Sequence, residues 1–476
     1  MSADTAPDTA PPAPRSAATG WGRTTAATAR LIRPRTYQEA VAAVQDCGAR
    51  GGIPRGLGQA YGDAARNAGG TVLDMTGLDR VHAIDVAGGT VLCDAGVSLH
   101  RLAQVLLPLG WFVPVTPGSR HVTVGGAIAA DVHGGNHHAA GSFSRHVPSL
   151  ELLTADGEIS TVAQGTPLFD ATAGGMGLTG VILTAGLRLQ PVETAWMRVE
   201  TERADDLDDL LARLTADAHR PTYASAWIDL LARGAATGRA VLTRADHAPS
   251  EALRGGTRAR RDPLASRPAH LTELPAALAA PGLAGLPGFP GLVPEGLLNR
   301  RTAGLLNDLR FWKAPRARTA RLQRLSAFFP LLDGVPHRNP LPGRGGVVRY
   351  RFVVGHGQED TLSRIVRRIA ARRCPAFVAV LERFGDAAPG WLSFPVPGWT
   401  LALDIPAALP GLAAFLDELD EEVAAAGGRV CLAGDSRLRP DLLAPMYPRL
   451  AEFRALRAEL DPRGVFTSDL SRRLGL

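Results

Sequence analysis

The chain of 476 residues has a single lysine, Lys313, although Lys and Arg together number 52. Its net charge of +6 and isoelectric point near 9.6 are therefore the work of arginine. Arginine presents a flat fork of donors that suits phosphate and carboxylate. A GC-rich genome imposes the same bias on any chain. Aromatic residues make up only 5%, no basic run is interleaved with them, and no nucleic-acid module is spelled out, so nucleic acid is not an expected partner. The four cysteines, Cys47, Cys93, Cys374 and Cys431, form no C-x-x-C pair and no metal-ligand spacing. They read as reduced, packed thiols, and no metal site is expected. No apolar run reaches the roughly 18 residues of a membrane span. The N-terminus lacks a charged segment followed by an apolar one. Together these absences predict a cytoplasmic protein. The G-x-G-x-x-G turn of a dinucleotide-binding βαβ unit is missing too, which disfavours a Rossmann site.

Glycine, by contrast, is plentiful, with 53 residues. It concentrates in RGLGQAYGD, residues 55–63, and in Pro114–Phe143, PVTPGSRHVTVGGAIAADVHGGNHHAAGSF. Glycine lets backbone approach a ligand closely, and successive exposed N–H groups can cradle a pyrophosphate. The plain alternative is a glycine-rich surface loop with a stray histidine cluster. Of those histidines, His133 is the best candidate for a catalytic or cofactor-contacting group. His137 and His138 read as structural.

These two stretches, with SAWID (Ser225–Asp229), LSFPVPGW (Leu392–Trp399) and DSR (Asp435–Arg437), resemble the vanillyl-alcohol oxidase/PCMH-type flavoproteins. Within them the pattern is most similar to the branch that oxidises a ribose carried on a polyprenyl phosphate. The likeness runs from about residue 30 to the C-terminus. It implies FAD, held in the first turn by Arg55, Gly56, Leu57, Gly58, Gln59, Ala60 and Tyr61. The second loop would contribute Pro117, Gly118, Ser119, Thr123, Gly125, Gly126, Ala130, Val132, His133, Gly134, Asn136 and His138. Gly180, Val181, Ile182 and Gly434 complete the set. Many relatives bond flavin covalently to a histidine in the first turn. Gln59-Ala60-Tyr61 offers none, so the FAD should be non-covalent.

The implied fold class is α+β. A two-subdomain FAD-binding domain spans residues 29–194. An antiparallel-sheet substrate domain spans 195–410, and 411–476 return to the first domain. Residues 1–28 are Ala, Thr, Pro and Ser with Trp21 as the one anchor, and predict a disordered tail. Residues 250–300 are rich in Pro, Gly and Arg and predict either a mobile lid or a plain insertion. Local signals agree. Thr36–Glu39 spells a capping box, Ser98 opens a helix to Leu109, and Asp156-Gly157 signals a type I′ hairpin. Leu207, Leu210, Leu211 and Leu214 mark the inner face of a helix over 205–218. In VVRYRFVV (347–354), Arg349 and Arg351 fall on one face of a strand.

The substrate shell departs from the resemblance. Lysines of that branch are replaced by Gly434, Glu382 and Gly135. A tyrosine becomes Cys431, two glutamines become Arg349 and Arg351, and a cysteine becomes Ala402. Arg349 and Arg351 opposite Glu382 could form a buried ion-paired cluster with Glu382 as base, or a plain strand-to-strand salt bridge. Three readings follow. One is FAD-dependent oxidation of a secondary alcohol on a sugar, nucleoside or polyol, possible as the first half of an epimerisation completed by a separate NAD(P)H-dependent reductase. The second is the polyprenyl-phosphoribose reaction itself, with membrane association only for such a lipid phosphate. The third is an inert flavoprotein serving as a binding partner.

Overall fold

The computed structural model describes residues 15–24, 26–217, 221–253, 300–329, 346–376 and 378–476. The first part of the chain builds two sheets. One has four strands in the order Arg15–Thr19, Ala26–Ile32, Thr71–Asp74, Gly52–Arg55, with parallel pairing on both sides of Thr71–Asp74. The other has five antiparallel strands in the order Val81–Asp85, Thr90–Asp94, Val181–Arg188, Ser149–Leu153, Ile159–Ala163. An eight-stranded antiparallel sheet follows, in the order Thr319–Arg324, Trp196–Ala204, Ala240–His247, Tyr223–Ile228, Val378–Phe384, Gly398–Pro406, Val347–Gly355, Arg429–Val430. This is the α+β arrangement the sequence implies.

Gly398–Pro406 lies deep in the large sheet, and all but its last residue are buried. Its near-unbroken apolar run is what a strand covered on both faces requires. The helix Glu359–Arg372 backs the sheet with Leu362, Ile365, Val366 and Ile369 inward, the i, i+3, i+4, i+7 stripe of a core-facing helix. One continuous core runs from Ile53 and Val72 through Leu178 to Phe352, Leu401 and Leu403, so the glycine-rich part and the sheet share packing. The C-terminal segment contacts the first glycine-rich stretch and its strand. Gly52 bridges to Phe466, and Arg473 joins Asp63 (3.0 Å) to Asp435 (2.8 Å).

Several local expectations hold in outline and change in detail. Thr36 caps the helix Tyr37–Gln45 by accepting from Glu39 N–H, but the Glu39 carboxylate reaches back to Arg35 N–H, one residue before the cap. The helix from Ser98 ends at Leu106 and tightens to a 3₁₀ turn over Leu107–Leu109, where Pro108 cannot donate. The hairpin at Gly157 is present, but only Gly157 has positive φ (93°), whereas a type I′ turn needs it at two successive residues. Thr154 and Asp156 instead hydrogen-bond across a longer loop. The tail to residue 28 is corrected: Arg15–Thr19 pairs with Ala26–Thr28 and onward, and Trp21 N–H donates to Ala60 O at 2.8 Å. Backbone pairing substitutes there for the apolar burial that the composition lacks. Residues 1–14, and all but the ends of the 250–300 stretch expected to be a lid or a plain insertion, lie outside the described residues.

Candidate functional site

The two glycine stretches meet. A Cβ on Gly56 would fall 2.2 Å from Thr123 Oγ1, and one on Gly62 would fall 1.6 Å from Asp435 O. Only glycine lets the first turn close against both the second loop and the C-terminal segment. Gly58 has φ +71°, and Arg55 wraps under it, donating to Thr19 O (2.7 Å) and Ala65 O (3.2 Å). Leu57 is exposed at the tip, while Tyr61 is buried, its ring 4.9 Å from that of Trp21.

In the second loop, Pro117, Gly118 and Ser119 stay accessible at the rim. Thr123 caps a short helix, Val124–Ala129, by accepting from Gly126 N–H, and Gly125 N–H donates to Ala95 O at 2.7 Å. Ala130 closes that helix. Asp131 then takes a positive φ of 39° while fully buried. A non-glycine residue there is strained and needs anchors. Asp131 has them: Ser144 N–H donates to it at 3.0 Å and Ser393 Oγ–H at 2.5 Å. Ser393 belongs to the LSFPVPGW motif, so this carboxylate ties the loop to the approach of the central strand. Val132 follows, packed against a second apolar cluster that includes Val91, Leu102 and Leu150. Asn136 donates to Pro114 O at 2.7 Å, and His138 Nε2 lies 2.9 Å from Pro221 O. Gly180 (φ +154°) starts the strand from which Val181 and Ile182 send buried side chains into the packing below.

His133 sits where loop and sheet converge. Its ring lies 4.9 Å from Phe384 and 5.5 Å from Phe394. Burial first, then the charges of Arg351 and His137, hold its pKa well below the ordinary value, so it is neutral. Neither ring nitrogen has a hydrogen-bond partner among the described residues, and the same is true of Thr116 Oγ1, Asn136 Oδ1 and Arg351 Nε. Buried polar atoms are rarely left unmatched. A group of them around one loop marks where a polar ligand completes the structure. His137 differs, for its ring contacts Ser142 Oγ (3.3 Å) and Gly385 N–H (3.2 Å), and burial brings its pKa to about 3.

The opposite wall is the large sheet. Arg349 faces Asp404 directly across the strand pair and binds it with two nitrogens, at 2.7 and 2.8 Å. Its guanidinium also stacks 3.8 Å from the Tyr61 ring centre, and Tyr61 O–H donates to Asp404 at 3.3 Å. Burial pulls the Arg349 pKa down, but Asp404 and then Tyr61 outweigh it and raise it. Arg351 and Glu382 lie on strands separated by Gly398–Pro406. Arg351 pairs in register with Ala402, whose methyl group leaves room for the Arg351 side chain to cross and meet Glu382 at 2.8 Å. Burial raises the Glu382 pKa, with Arg351 opposing. A Cβ on Gly135 would lie 3.5 Å from Glu382 Oε1, and one on Gly434 3.5 Å from Arg349 Cγ. Cys431 donates its N–H to Arg351 O, and burial pushes its thiol up. No group of three or more His, Cys, Asp or Glu among the described residues could hold a metal ion. Sequence reasoning missed Asp404, Asp131 and Ser393. A lone aspartate in the apolar run GWTLALDIP was the available signal, because a buried charge needs a partner.

Comparison with known proteins places this geometry. Residues 28–163 match the FAD binding domain family model. Over 464 residues the chain is 40% identical to decaprenylphosphoryl-β-D-ribose oxidase of Mycolicibacterium smegmatis, covering 96% of this chain and 97% of that one. The chain belongs to the PCMH-type FAD-dependent oxidoreductases. Other members of its neighbourhood are an uncharacterised Streptomyces coelicolor protein, 59% identical over 382 residues (80% of this chain, all of that one), and alditol oxidase of a Streptomyces species, 25% identical over 477 residues (96% and 99%). FAD is the cofactor of this flavoprotein, and the residues fit it: close-approach glycines in both turns and unmatched polar atoms beside them are what a large phosphorylated cofactor requires. Bound FAD supplies the centre that accepts a hydride.

Proposed function

We propose that this flavoprotein oxidises a secondary alcohol of a sugar to a ketone, with a ribose carried on a polyprenyl phosphate as the first substrate to test. The observation that carries the chemistry is the buried Arg351–Glu382 pair, which borders Gly135 of the histidine loop. Alcohol oxidation removes a hydride from carbon and a proton from oxygen, and the proton needs an acceptor in reach. Glu382 takes that proton. Its raised pKa makes it a stronger base than an exposed carboxylate, and Arg351 holds it in place. Neutral His133 offers one nitrogen as donor and one as acceptor to the bound groups. Arg349, locked by Asp404, supplies fixed positive charge beside Tyr61. The near full-length similarity to the ribose oxidase favours the lipid-linked sugar.

A second reading, a free sugar, nucleoside or polyol, is favoured by Glu382 and Gly135. They put a carboxylate and a residue without a side chain where the resembling branch has two lysines. In either case the FAD is held non-covalently, and a ketone intermediate would suit epimerisation by a separate NAD(P)H-dependent reductase. Anaerobic addition of polyprenyl-phosphoribose, free pentoses and polyols to the yellow protein tests the proposal. Loss of flavin absorbance with the lipid-linked sugar is expected. Bleaching only by a polyol would select the second reading. Yellow protein that no alcohol bleaches would leave an inert flavoprotein.

A further inference from the structure

The helix Arg300–Lys313 is mounted with its apolar side outward. It docks on the large sheet through Ala303, Asn307 and Phe311. Ala303 and Phe311 are buried, Asn307 donates to Asp229 at 2.7 Å, and Phe311 packs on Trp227 and Val241. Those three positions form one face at i, i+4, i+8. At 100° per residue, Leu305, Leu309 and Trp312 project about 180° away from it. They are 70%, 51% and 67% exposed, the three most exposed large hydrophobic residues described, and Leu306 adds a fourth at 45%. A surface helix of a globular protein ordinarily turns such a stripe to the core. Scattered exposed leucines need no explanation, but a leucine–tryptophan stripe on one helix does.

The charge around the stripe is one-sided. Residues 300–329 hold eight Arg and Lys and one acid, Asp308, an excess of seven against +6 for the whole chain. Asp308 is itself engaged by Arg239. Arg310 stacks on Trp227, Arg318 binds Glu200 and Asp217, and Arg324 lies over Trp196. Lys313, Arg316 and Arg321 remain exposed along the chain segment that leads from the helix into the edge strand Thr319–Arg324. That strand is the outermost of the eight and is exposed along almost all its length.

We propose that this helix and the basic segment after it dock on an anionic lipid surface. Leu305, Leu309 and Trp312 enter the boundary between headgroups and acyl chains, and Lys313, Arg316 and Arg321 meet lipid phosphates. Apolar residues on one face with flanking cations is the composition of an interfacial helix, and the helix is far too short to span. Tryptophan, with an apolar body and one N–H, suits that boundary. Within this segment the exposed charges are positive apart from Asp308, a balance that complements an anionic surface. The proposal is independent of the substrate assigned above.

The test is co-sedimentation of the FAD-loaded protein with phosphatidylcholine vesicles containing or lacking phosphatidylglycerol. Binding to the anionic vesicles that weakens as salt rises is expected, with little binding to the neutral ones. The variant Leu305→Ser/Leu309→Ser/Trp312→Ser should bind at least about tenfold more weakly, and Lys313→Glu/Arg316→Glu/Arg321→Glu should lose the salt-dependent part. All six side chains are exposed, so both variants should keep their flavin spectrum. Wild-type protein that fails to pellet with anionic vesicles overturns the proposal, as does a triple serine variant that binds unchanged. A wild-type dimer that the serine variant converts to monomer assigns the stripe to a second copy instead. Protection of the stripe from hydroxyl-radical labelling without lipid assigns it to another segment of this chain, such as 254–299.

Discussion

The two walls of the site are built by different means. The loop wall is backbone: Gly56, Gly62, Gly125 and Gly134 bring chain segments so close that a single methyl group would collide. The sheet wall is side chain: Arg349 on Asp404 and Arg351 on Glu382, two ion pairs held by strand register. A wall of backbone can bind any cofactor with the same phosphates, and it tolerates no change. A wall of side chains can be rewritten residue by residue while the strands stay in place. The cofactor can therefore be common to the family while the substrate face differs.

The largest effect should come from the backbone wall. Gly62→Val would place Cβ against the Asp435 carbonyl, a collision with main chain on the order of 3 kcal/mol or more. The purified variant should lack most of its absorbance near the flavin maximum. A yellow variant would show that the turn and the C-terminal segment do not need their close approach. Next, Glu382→Gln keeps the shape and removes the proposed base. Its kcat should fall by roughly 10²–10⁴ with flavin content unchanged; an unchanged kcat would move the proton acceptor elsewhere.

A smaller effect belongs to the pair behind it. Asp404→Ala strands Arg349 in a buried site, at a cost of about 3 kcal/mol read from urea unfolding. Replacing both residues by apolar ones should recover most of that loss, and a double variant no better than the single would mean that the aspartate serves Tyr61 instead. A further effect is in pH dependence. His137 has its folded pKa lowered from 6.5 to about 3. The unfolded chain therefore takes up the proton first, and stability is lost as pH falls from 6.5 towards 3, by up to about 1.4 kcal/mol per pH unit. His137→Gln should flatten that acid limb, and an unaltered limb in stability against pH would place the proton uptake elsewhere.

Much of the loop wall was legible because glycine at a close approach is a local, one-residue signal. Gly56, Gly58 and Gly134 could be picked out with no knowledge of what they touch. The sheet wall was half legible. Strand alternation puts Arg349 and Arg351 on one face, but Asp404 is 55 residues from Arg349, and only the register between distant strands makes them partners. Asp131 and Ser393 are 262 residues apart, and their bond holds a strained φ that no local pattern announces. Arg15–Thr19 misled for a related reason: its strand is held by pairing with Ala26–Ile32, which composition does not register.

The most direct test of the central claim is an anaerobic absorbance titration of the purified flavoprotein with polyprenyl-phosphoribose, comparing wild type with Glu382→Gln. The account predicts a yellow wild-type protein that releases free FAD on acid precipitation and bleaches on substrate addition, and an equally yellow variant that bleaches slowly. A variant that bleaches as fast as the wild type would contradict the assignment of the sheet wall, and a wild-type protein that neither holds nor takes up FAD would contradict the whole.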